Sequence, residues 1–300
     1  MSVINVIGVP SSAGSYSAGQ EQAPTALRAG GLIEALTGAG HEVRDGGDLT
    51  EQTWRPDRDR PFAQNLPEVV QSVGELATAA SAVIGTGERL LVLGGNCTIA
   101  LGSCAGFRRA GVEPGLVYID RHFDLNTPKS TTEGALDWMG LAHALDLDGA
   151  APELVDVLGP RPLLRPTRLA FLGVDARQAT EWERACVERL ALHVVPQADL
   201  VQAPAHAATA AREVVLPGPF AVHVDVDVLD FIDAPIAENV NGRNTGPTIE
   251  QLEQALAELW HHPDCQALSI GELNPVHAAT DPASLDRFVA ALGRALAPRD

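Results

Sequence analysis

The sequence has few aromatic residues and far fewer bases than acids. Aromatic side chains make up 4% of the 300 residues, so we expect an aliphatic core built from alanine, leucine and valine. Lysine and arginine number 21 against 39 acidic residues, which gives a formal net charge of -18. This charge argues against nucleic acid or an anionic membrane surface as a partner. It is compatible with a cationic substrate or metal ions, although most of these acids are expected only to keep the surface solvated.

Long apolar runs and paired cysteine motifs are also missing. No run of about 18 apolar residues occurs, so a membrane span is not expected. The first residues lack the basic start and apolar core of a signal peptide. The cysteines are scattered and form no Cys-x-x-Cys pair; they are Cys97, Cys104, Cys186 and Cys265. We therefore predict a cytoplasmic protein with free thiols.

Short β-rich runs alternate with segments of helical periodicity along the whole chain. The runs include residues 3–10, 89–93 and 220–226, and a helical pattern spans residues 66–86. One helix is predicted over residues 23–36 and a loop over residues 46–64. The alternation predicts an α/β protein: a single three-layer α/β/α domain over residues 1–300, with a doubly wound, mainly parallel sheet.

Two of the predicted strands end in clustered acids. Asp120, His122 and Asp124 follow one apolar run, and Asp225 and Asp227 follow another about a hundred residues later. In parallel sheets, ligands bind at the carboxyl ends of the strands, so these side chains are expected to meet. Burying an unpaired carboxylate is costly, which indicates a cation at this edge.

Four carboxylates and one imidazole suit Mn²⁺ or a similar divalent ion, and shared carboxylates can bridge two ions. Two such ions lower the pKa of a water molecule between them and provide hydroxide at neutral pH. Each motif is weak when taken alone. Asp225 and Asp227 also fit an ordinary pair of acids at a strand end, and His122 also fits a histidine of the core.

Further motifs accompany these two in a fixed order. They are residues 19–28, Gly94-Gly95-Asn96-Cys97, Asp120-Arg121-His122-Phe123-Asp124, residues 125–134, residues 223–230 and Glu272-Leu273-Asn274-Pro275. The order resembles the ureohydrolase superfamily, which includes arginases, agmatinases and formimidoylglutamases. Where this chain has the second, third and fifth motifs, the family has Gly-Gly-Asp-His, Asp-Ala-His-x-Asp and Ser-x-Asp-x-Asp-x-x-Asp. The resemblance covers nearly the whole chain.

The resemblance implies an arginase-like fold and a site with two metal ions. The first ion would be held by Cys97, Asp120, Asp124 and Asp225. The second would be held by His122, Asp120, Asp225 and Asp227, so that Asp120 and Asp225 bridge. Glu272 would hold a guanidinium group by charge-assisted hydrogen bonds, and Asp227 would help to stabilise a tetrahedral intermediate.

Cys97 stands where the family has a histidine ligand, which makes this an atypical member. A thiolate is softer than an imidazole and suits Zn²⁺ or Fe better than Mn²⁺. We therefore expect two divalent ions, with Mn first and Zn, Fe or Co as alternatives. In the other interpretation, Cys97 is an inert small residue and one ion is weakly bound or absent.

The segment corresponding to the arginase substrate loop also departs from the family. Asn126 and Thr131 are expected to bind substrate there. Asp137 falls where arginases have a proton-shuttling histidine, so it is a candidate catalytic residue; a solvated loop acid is the other interpretation. Glu133 replaces a serine that helps to hold an α-carboxylate. Since a carboxylate repels such a group, the far end of the substrate is expected to be neutral or cationic.

The polar segment 233–244 supplies two more candidate substrate-binding residues, Asn239 and Arg243. Its asparagines and glycine also fit a simple turn between strand and helix. Further candidates at the same edge follow another predicted strand; they are Asp175, Arg177 and Gln178.

Taken together, these residues predict a binuclear metal hydrolase that cleaves a C–N bond in a linear amidine or guanidine other than plain arginine. The products would be urea and an amine. The alternatives are a catalytically silent binding or structural protein and a hydrolase of formimidoyl amino acids. The resemblance also implies a homo-oligomer, a trimer or hexamer.

Overall fold

A computed structural model describes residues 3–240, 242 and 244–298 of the chain. Within these residues, eight strands form one sheet. They are β1 (Val3–Gly8), β2 (Glu42–Asp48), β3 (Arg89–Leu93), β4 (Gly115–Ile119), β5 (Leu169–Val174), β6 (His193–Pro196), β7 (Phe220–Asp225) and β8 (Cys265–Gly271). Their order is β2-β1-β3-β8-β7-β4-β5-β6, and all neighbouring strands are parallel.

Helices connect successive strands and cover both faces of the sheet. The α-helices in the described residues are α1 (Ala23–Ala29), α2 (Leu32–Gly38), α3 (Leu66–Ile84), α4 (Ile99–Arg109), α5 (Gly140–Ala144), α6 (Pro152–Leu158), α7 (Glu181–Leu190), α8 (Gln197–Gln202), α9 (Pro204–Val215), α10 (Ile249–Trp260), α11 (Pro275–Ala278) and α12 (Pro282–Leu296). One apolar core includes residues of α1, α2, α9, α10 and α12, and a second includes residues of α3, α4, α6 and α7.

Successive side chains of a strand point to opposite faces of the sheet, and this alternation divides the apolar core into two parts. In β3, Leu91 and Leu93 point into the first core, whereas Leu90 and Val92 point into the second. Both faces are buried, which explains why the strands are almost continuously apolar. The predicted three-layer α/β/α class is therefore confirmed, and the sheet is entirely parallel rather than mainly so. The predicted domain bounds of 1–300 reach beyond the described residues and stay a prediction.

Two local predictions were wrong. Residues 23–36 form two helices rather than one, because Gly30 and Gly31 interrupt them and Gly31 has the left-handed φ of 85°. The loop predicted from residue 46 begins later, since β2 continues to Asp48 through hydrogen bonds with β1. The helices α6, α8 and α11 were not predicted.

The four strands at the centre of the sheet, β3, β8, β7 and β4, bring the sequence motifs together. Cys97 lies in the turn after β3, Glu272 follows β8, Asp225 ends β7, and Asp120 follows β4. Parallel strands have their carboxyl ends at one edge, so all four residues meet there. All four cysteines are buried and free, in agreement with the prediction of free thiols. No helix among the described residues has the length and apolar character needed to cross a bilayer.

Phe171 supports this edge from within the sheet, and its replacement by alanine should be strongly destabilising. It is fully buried, and its ring packs edge-on against Tyr118 and Phe123 at centroid distances of 6.2 and 5.1 Å. Urea denaturation should show a loss of about 3–5 kcal/mol in the free energy of unfolding, because the substitution leaves a cavity. Phe62→Ala is the control: its ring is 47% exposed, and a loss below about 1 kcal/mol is expected. Equal losses in both variants would contradict this assignment.

Candidate active site

Two groups of potential metal ligands lie at the carboxyl edge of the sheet. One consists of Asp120, His122, Asp225 and Asp227, and the other of Cys97, Asp120 and Asp124. Within each group, the ligand atoms all lie within 4.8 Å of one another. Asp120 belongs to both groups, as expected for a bridging carboxylate. Asp225 belongs only to the His122 group, although its Oδ2 lies 3.3 Å from the Cys97 Sγ.

Backbone amides fix the carboxylates that bear the ligand atoms. The His122 N–H donates to Asp120 Oδ1 and the Asp227 N–H donates to Asp225 Oδ1, both at 2.7 Å. Asp124 is held by the Tyr118 hydroxyl, which donates to its Oδ2. Asp124 and Glu272 have positive φ values of 52° and 64°, a strained backbone region that clusters at functional sites.

The residues of these two groups fit divalent cations. Among the described side chains, Asp120 Oδ2 and Asp227 Oδ1 are buried oxygens without a hydrogen-bond partner. An orphaned carboxylate oxygen in the interior is costly unless a cation or a donor meets it. The two oxygens belong to the groups that hold the carboxylates, the imidazole and the thiol, a donor set that binds first-row divalent ions.

In the absence of a cation, the close packing of these carboxylates also shifts the pKa values of the site. Burial, reinforced by neighbouring carboxylates, raises the pKa of Asp120, Asp124 and Asp225. Asp227 behaves differently: burial opposes ionisation, but the neighbouring His122 and Arg121 prevail and lower its pKa. The pKa of His122 is raised well above its usual value because Asp227 and Asp120 outweigh the effect of burial. The raised pKa of His122 thus reflects the same negative charge that would attract a metal ion.

His122 lies between the two carboxylates and a polar side chain of the rim. Its Nδ1 is 3.2 Å from both Asp120 Oδ1 and Asp227 Oδ2, and its Nε2 is 3.2 Å from Gln178 Oε1. These contacts place Nδ1 toward the metal group and leave Nε2 to Gln178. This arrangement is typical of a histidine ligand whose second ring nitrogen is oriented by a hydrogen bond.

Cys97 is buried and contacts three groups of the site. Its N–H donates to Glu272 Oε1 at 2.8 Å, and its Sγ lies near Asp225 and 3.1 Å from His223 Nε2. Burial, followed by the surrounding carboxylates, raises the pKa of the Cys97 thiol. Without a metal ion the sulfur is therefore a thiol, and it would ligate only after losing its proton.

A cavity of about 340 Å³ opens onto the two groups, a size suited to a small molecule. Glu133, Asp137, Trp138 and Asn239 line it together with Cys97, His122, Asp124, Asp225, Asp227 and Glu272. The sequence-predicted catalytic residues Asp227, Glu272 and Asp137 thus share one cavity with the substrate-binding candidates Glu133 and Asn239.

Two other predicted substrate-binding residues lie elsewhere. Asn126 is fully buried, and its Oδ1 accepts hydrogen bonds of 3.2 Å from Ser130 and Thr180. The Thr131 hydroxyl accepts from the Glu133 N–H at 3.2 Å. Neither is among the described residues that line the cavity, so the structure places both as supports of the surrounding loops. Arg243 lies outside the described residues.

Four residues of the site escaped the sequence-based assignment. Gln20 donates to Glu272 Oε2, and Tyr16 lines the cavity. Arg121 is fully buried, and its Nε lies 3.8 Å from Asp227 Oδ1. His223 contacts Cys97. The sequence could have indicated two of them, because Arg121 and His223 stand where the family motifs have an alanine and a serine. The positions of Gln20 and Tyr16 depend on the fold.

Fold and site together define an α/β protein with a candidate binuclear metal centre at the carboxyl edge of a parallel sheet. The model of the Arginase family matches residues 2–294, and the chain belongs to this family. This confirms the resemblance to ureohydrolases that the motifs indicated.

Individual relatives show the same relationship. Human arginase-1 is 32% identical over 172 residues, which covers 57% of this chain and 53% of the relative. The chain thus spans about half the length of the curated relatives it matches. The structure of the Bacillus caldovelox arginase superposes with a TM-score of 0.88 over 100% of this chain and 99% of that chain, at 24% identity. A Trypanosoma cruzi formiminoglutamase with Mn²⁺ superposes with a TM-score of 0.72 over 99% and 95%, at 16% identity. At these identities the two structures support the fold alone.

Asp137 should make the stability of the metal-free protein depend on pH. Burial raises its pKa from 3.8 to about 7, so the folded protein keeps this group protonated where the unfolded chain has ionised. The unfolded state therefore binds fewer protons between about pH 4 and pH 7, and stability falls as pH rises through that window. Relative to Asp137→Asn, the free energy of unfolding of the wild type, measured by urea denaturation, should fall by on the order of 2 to 4 kcal/mol across this pH range.

The control for this measurement is Asp148→Asn, because the Asp148 side chain is 89% exposed. The stability of that variant should follow the wild type at every pH. If Asp137→Asn also followed the wild type, the assignment of a raised pKa to this buried carboxyl would be wrong.

Proposed function

We propose that this chain is a two-metal hydrolase that cleaves a C–N bond in a linear guanidine or amidine. The observation that carries the proposal is the pair of ligand groups sharing Asp120, with their orphaned oxygens, in one cavity with Glu272. Among the residues that the structure describes, no lysine or arginine pairs with Glu272. A cation site beside such a carboxylate is suited to a cationic substrate whose carbon must be attacked by water.

The first ion would be held by Cys97, Asp120 and Asp124 beside Asp225, and the second by Asp120, His122, Asp225 and Asp227. When bound, such ions would lower the pKa of a water molecule and stabilise developing negative charge. Mn²⁺ suits the oxygen ligands, and the sulfur of Cys97 extends the choice to Zn²⁺, Fe or Co²⁺.

Glu272 is the group that would hold the guanidinium. Its Oε1 accepts from the Cys97 N–H at 2.8 Å and its Oε2 accepts from Gln20, so the carboxylate is fixed facing the cavity. An anion oriented in this way binds a planar guanidinium by charge-assisted hydrogen bonds and aligns its carbon with the metal groups. Asp227 lines the same cavity and would accept a hydrogen bond from an N–H of the tetrahedral intermediate.

Asp137 would handle a proton of the reaction. Water adds to the guanidinium carbon, the C–N bond to the amine breaks, and the leaving amine must gain a proton. A carboxyl group with a pKa of about 7 in the cavity can exchange protons with solvent near neutral pH. Asp137 is held in place by its own N–H, which donates to the Gly14 carbonyl at 2.9 Å. The products would be urea and the amine.

Charge in the outer part of the cavity supports a substrate without a negative far end. Glu133, Asp137, Asp175 and Glu183 all line the cavity in addition to the ligand groups and Glu272. A substrate carboxylate placed among these acids would be repelled. We infer that the far end of the substrate is neutral or cationic, which disfavours plain arginine.

Metal content and product identity test the proposal together. After reconstitution with Mn²⁺, the wild type should contain about two ions per chain and act on at least one member of a guanidine panel, releasing urea from agmatine or hydroxyurea from N-hydroxyarginine. Asp120→Asn and Asp225→Asn should lose metal and at least roughly 100-fold in turnover, since even the loss of outer partners of ligands costs 10–100-fold.

Asp175→Asn is the matched control, because Asp175 lines the same rim outside both ligand groups and pairs with Arg177 at 2.8 Å. It should keep the metal content of the wild type. Full metal content and turnover in the Asp120 and Asp225 variants would refute the proposal. Absence of metal from the wild type would favour a silent binding protein, and formamide as product would favour a formimidoyl hydrolase.

Glu133→Ser tests the inferred preference of the outer cavity. Removing this carboxylate should raise kcat/KM for arginine relative to agmatine, which lacks the α-carboxylate, by roughly 10-fold, about 1.4 kcal/mol of relieved repulsion. Glu188→Ser serves as control, since Glu188 is exposed on α7 away from the cavity. An unchanged ratio in the Glu133 variant would show that Glu133 does not select the substrate.

The assembly and the location of the protein stay predictions. We propose a homo-oligomer, a trimer or hexamer, and a cytoplasmic location; the family resemblance supports the first and the free thiols support the second. The expectation that neither nucleic acid nor a membrane is a partner continues to rest on the net charge of -18.

A further inference from the structure

A buried histidine lies directly behind the cysteine of the first ligand group. His223 is on β7, where its register partners are Tyr118 on β4 and Ser269 on β8. Its side chain is fully buried, and its ring stacks on Tyr118 with the centroids 4.9 Å apart. Nδ1 is 2.8 Å from Ser269 Oγ, and Nε2 is 3.1 Å from Cys97 Sγ. Both ring nitrogens are therefore engaged.

His223 is placed to act on Cys97 and not on a metal ion. Among the described residues it belongs to neither ligand group, and its contact with the site is made through the sulfur. Gly271 leaves the space for this contact. A Cβ at Gly271 would lie 3.0 Å from Cε1 of His223 and 3.6 Å from the Cys97 Sγ, so a side chain there would crowd the imidazole.

The hydrogen bonds available to the sulfur assign a direction to this contact. A sulfur ligand is a thiolate, which accepts hydrogen bonds and donates none. Its two polar neighbours are the Asp225 carboxylate at 3.3 Å and His223 Nε2 at 3.1 Å. An Asp225 carboxylate that ligates a metal ion has no proton to give, so Nε2–H of His223 would be the donor to the thiolate. Ser269 Oγ, 2.8 Å from Nδ1, would then donate its hydroxyl proton to Nδ1 and favour this tautomer.

The sizes of the two residues also match. The family motifs have a histidine where this chain has Cys97 and a serine where it has His223. The small cysteine leaves room beside the ligand groups, and the imidazole of His223 fills it from the neighbouring strand. Because Cys97 and His223 are in contact, we expect a single exchange at either position to leave a gap or an overlap.

We propose that His223 is a positioning residue for Cys97: it aims the sulfur at the first ligand group and donates a hydrogen bond to the thiolate when the sulfur binds a metal ion. The inference rests on the proposed metal centre and adds to it that the first metal is bound through sulfur. Residues behind metal ligands typically contribute 10–100-fold in affinity.

Cobalt binding gives a readout that does not depend on activity, because a thiolate bound to Co²⁺ produces a near-ultraviolet sulfur-to-metal charge-transfer band. The metal-free wild type titrated with Co²⁺ should develop this band, and Cys97→Ala should not. In His223→Ala the Co²⁺ affinity associated with the band should fall roughly 10–100-fold. His223→Gln, whose side-chain amide can still donate to the sulfur, should retain much of the wild-type affinity.

The exchanged pair supplies a second, independent measurement. Cys97→His alone should bring two imidazoles into overlap and lower the thermal midpoint of the metal-free protein. The double variant Cys97→His/His223→Ser restores the residues of the family motifs and should recover the midpoint and the metal content. Its cobalt complex should lack the charge-transfer band, because no sulfur ligand remains.

The outcomes separate this inference from the proposed function. No charge-transfer band in a wild type that nevertheless binds two cobalt ions and releases urea would overturn the inference and leave the hydrolase proposal intact. No cobalt binding by the wild type would overturn both. If the wild type shows the band, equal affinity in folded His223→Ala, or a loss of affinity in His223→Gln as large as that in His223→Ala, overturns the role of His223. Should His223→Ala fail to fold, the Gln variant and the double variant decide the question.

Discussion

The interior of this protein is organised by the cost of burying carboxylates. Asp120, Asp124, Asp225, Asp227 and Glu272 lie close together in a region largely removed from solvent. Their mutual repulsion and desolvation would oppose folding unless cations met them. Without a cation, the pKa values of His122, Asp120, Asp124 and Asp225 are raised instead. Metal binding and the stability of this edge are therefore two aspects of the same electrostatic balance.

The parallel sheet makes this crowding possible because it provides a rigid frame of apolar strands. Each acid follows or ends a strand that is buried on both faces, and the strand fixes the position of the backbone that bears the acid. The left-handed backbone at Asp124 and Glu272 turns two of these carboxylates toward the cavity. The aliphatic core on either side of the sheet offsets the unfavourable energy of the site.

The sequence predicted the fold class and the meeting of the acids with His122 at one edge because both depend on local patterns, whereas Cys97 and the division into two ligand sets came from the family resemblance. Alternating apolar runs define the strands, and acids directly after them must lie at the carboxyl edge. Gln20 could not be found in this way, since its bond to Glu272 joins positions 252 residues apart. Asn126 belongs to a matching motif, yet packing directs its side chain to Ser130 and Thr180. The split of the helix over residues 23–36 was signalled by Gly30-Gly31, but the apolar periodicity obscured it.

Arg121 gives the metal centre a charge balance that the ligands alone do not have. With Cys97 as a thiolate, the ligand set carries one more negative charge than the family's histidine would give it. Arg121 stands where the family motif has alanine, and its buried guanidinium, 3.8 Å from Asp227 Oδ1, adds one positive charge. Two divalent ions would then neutralise the centre, just as they would with a histidine ligand. The negative charge gained at position 97 and the positive charge gained at position 121 therefore cancel. A cysteine placed in a related centre without this arginine would leave an uncompensated anion in the interior.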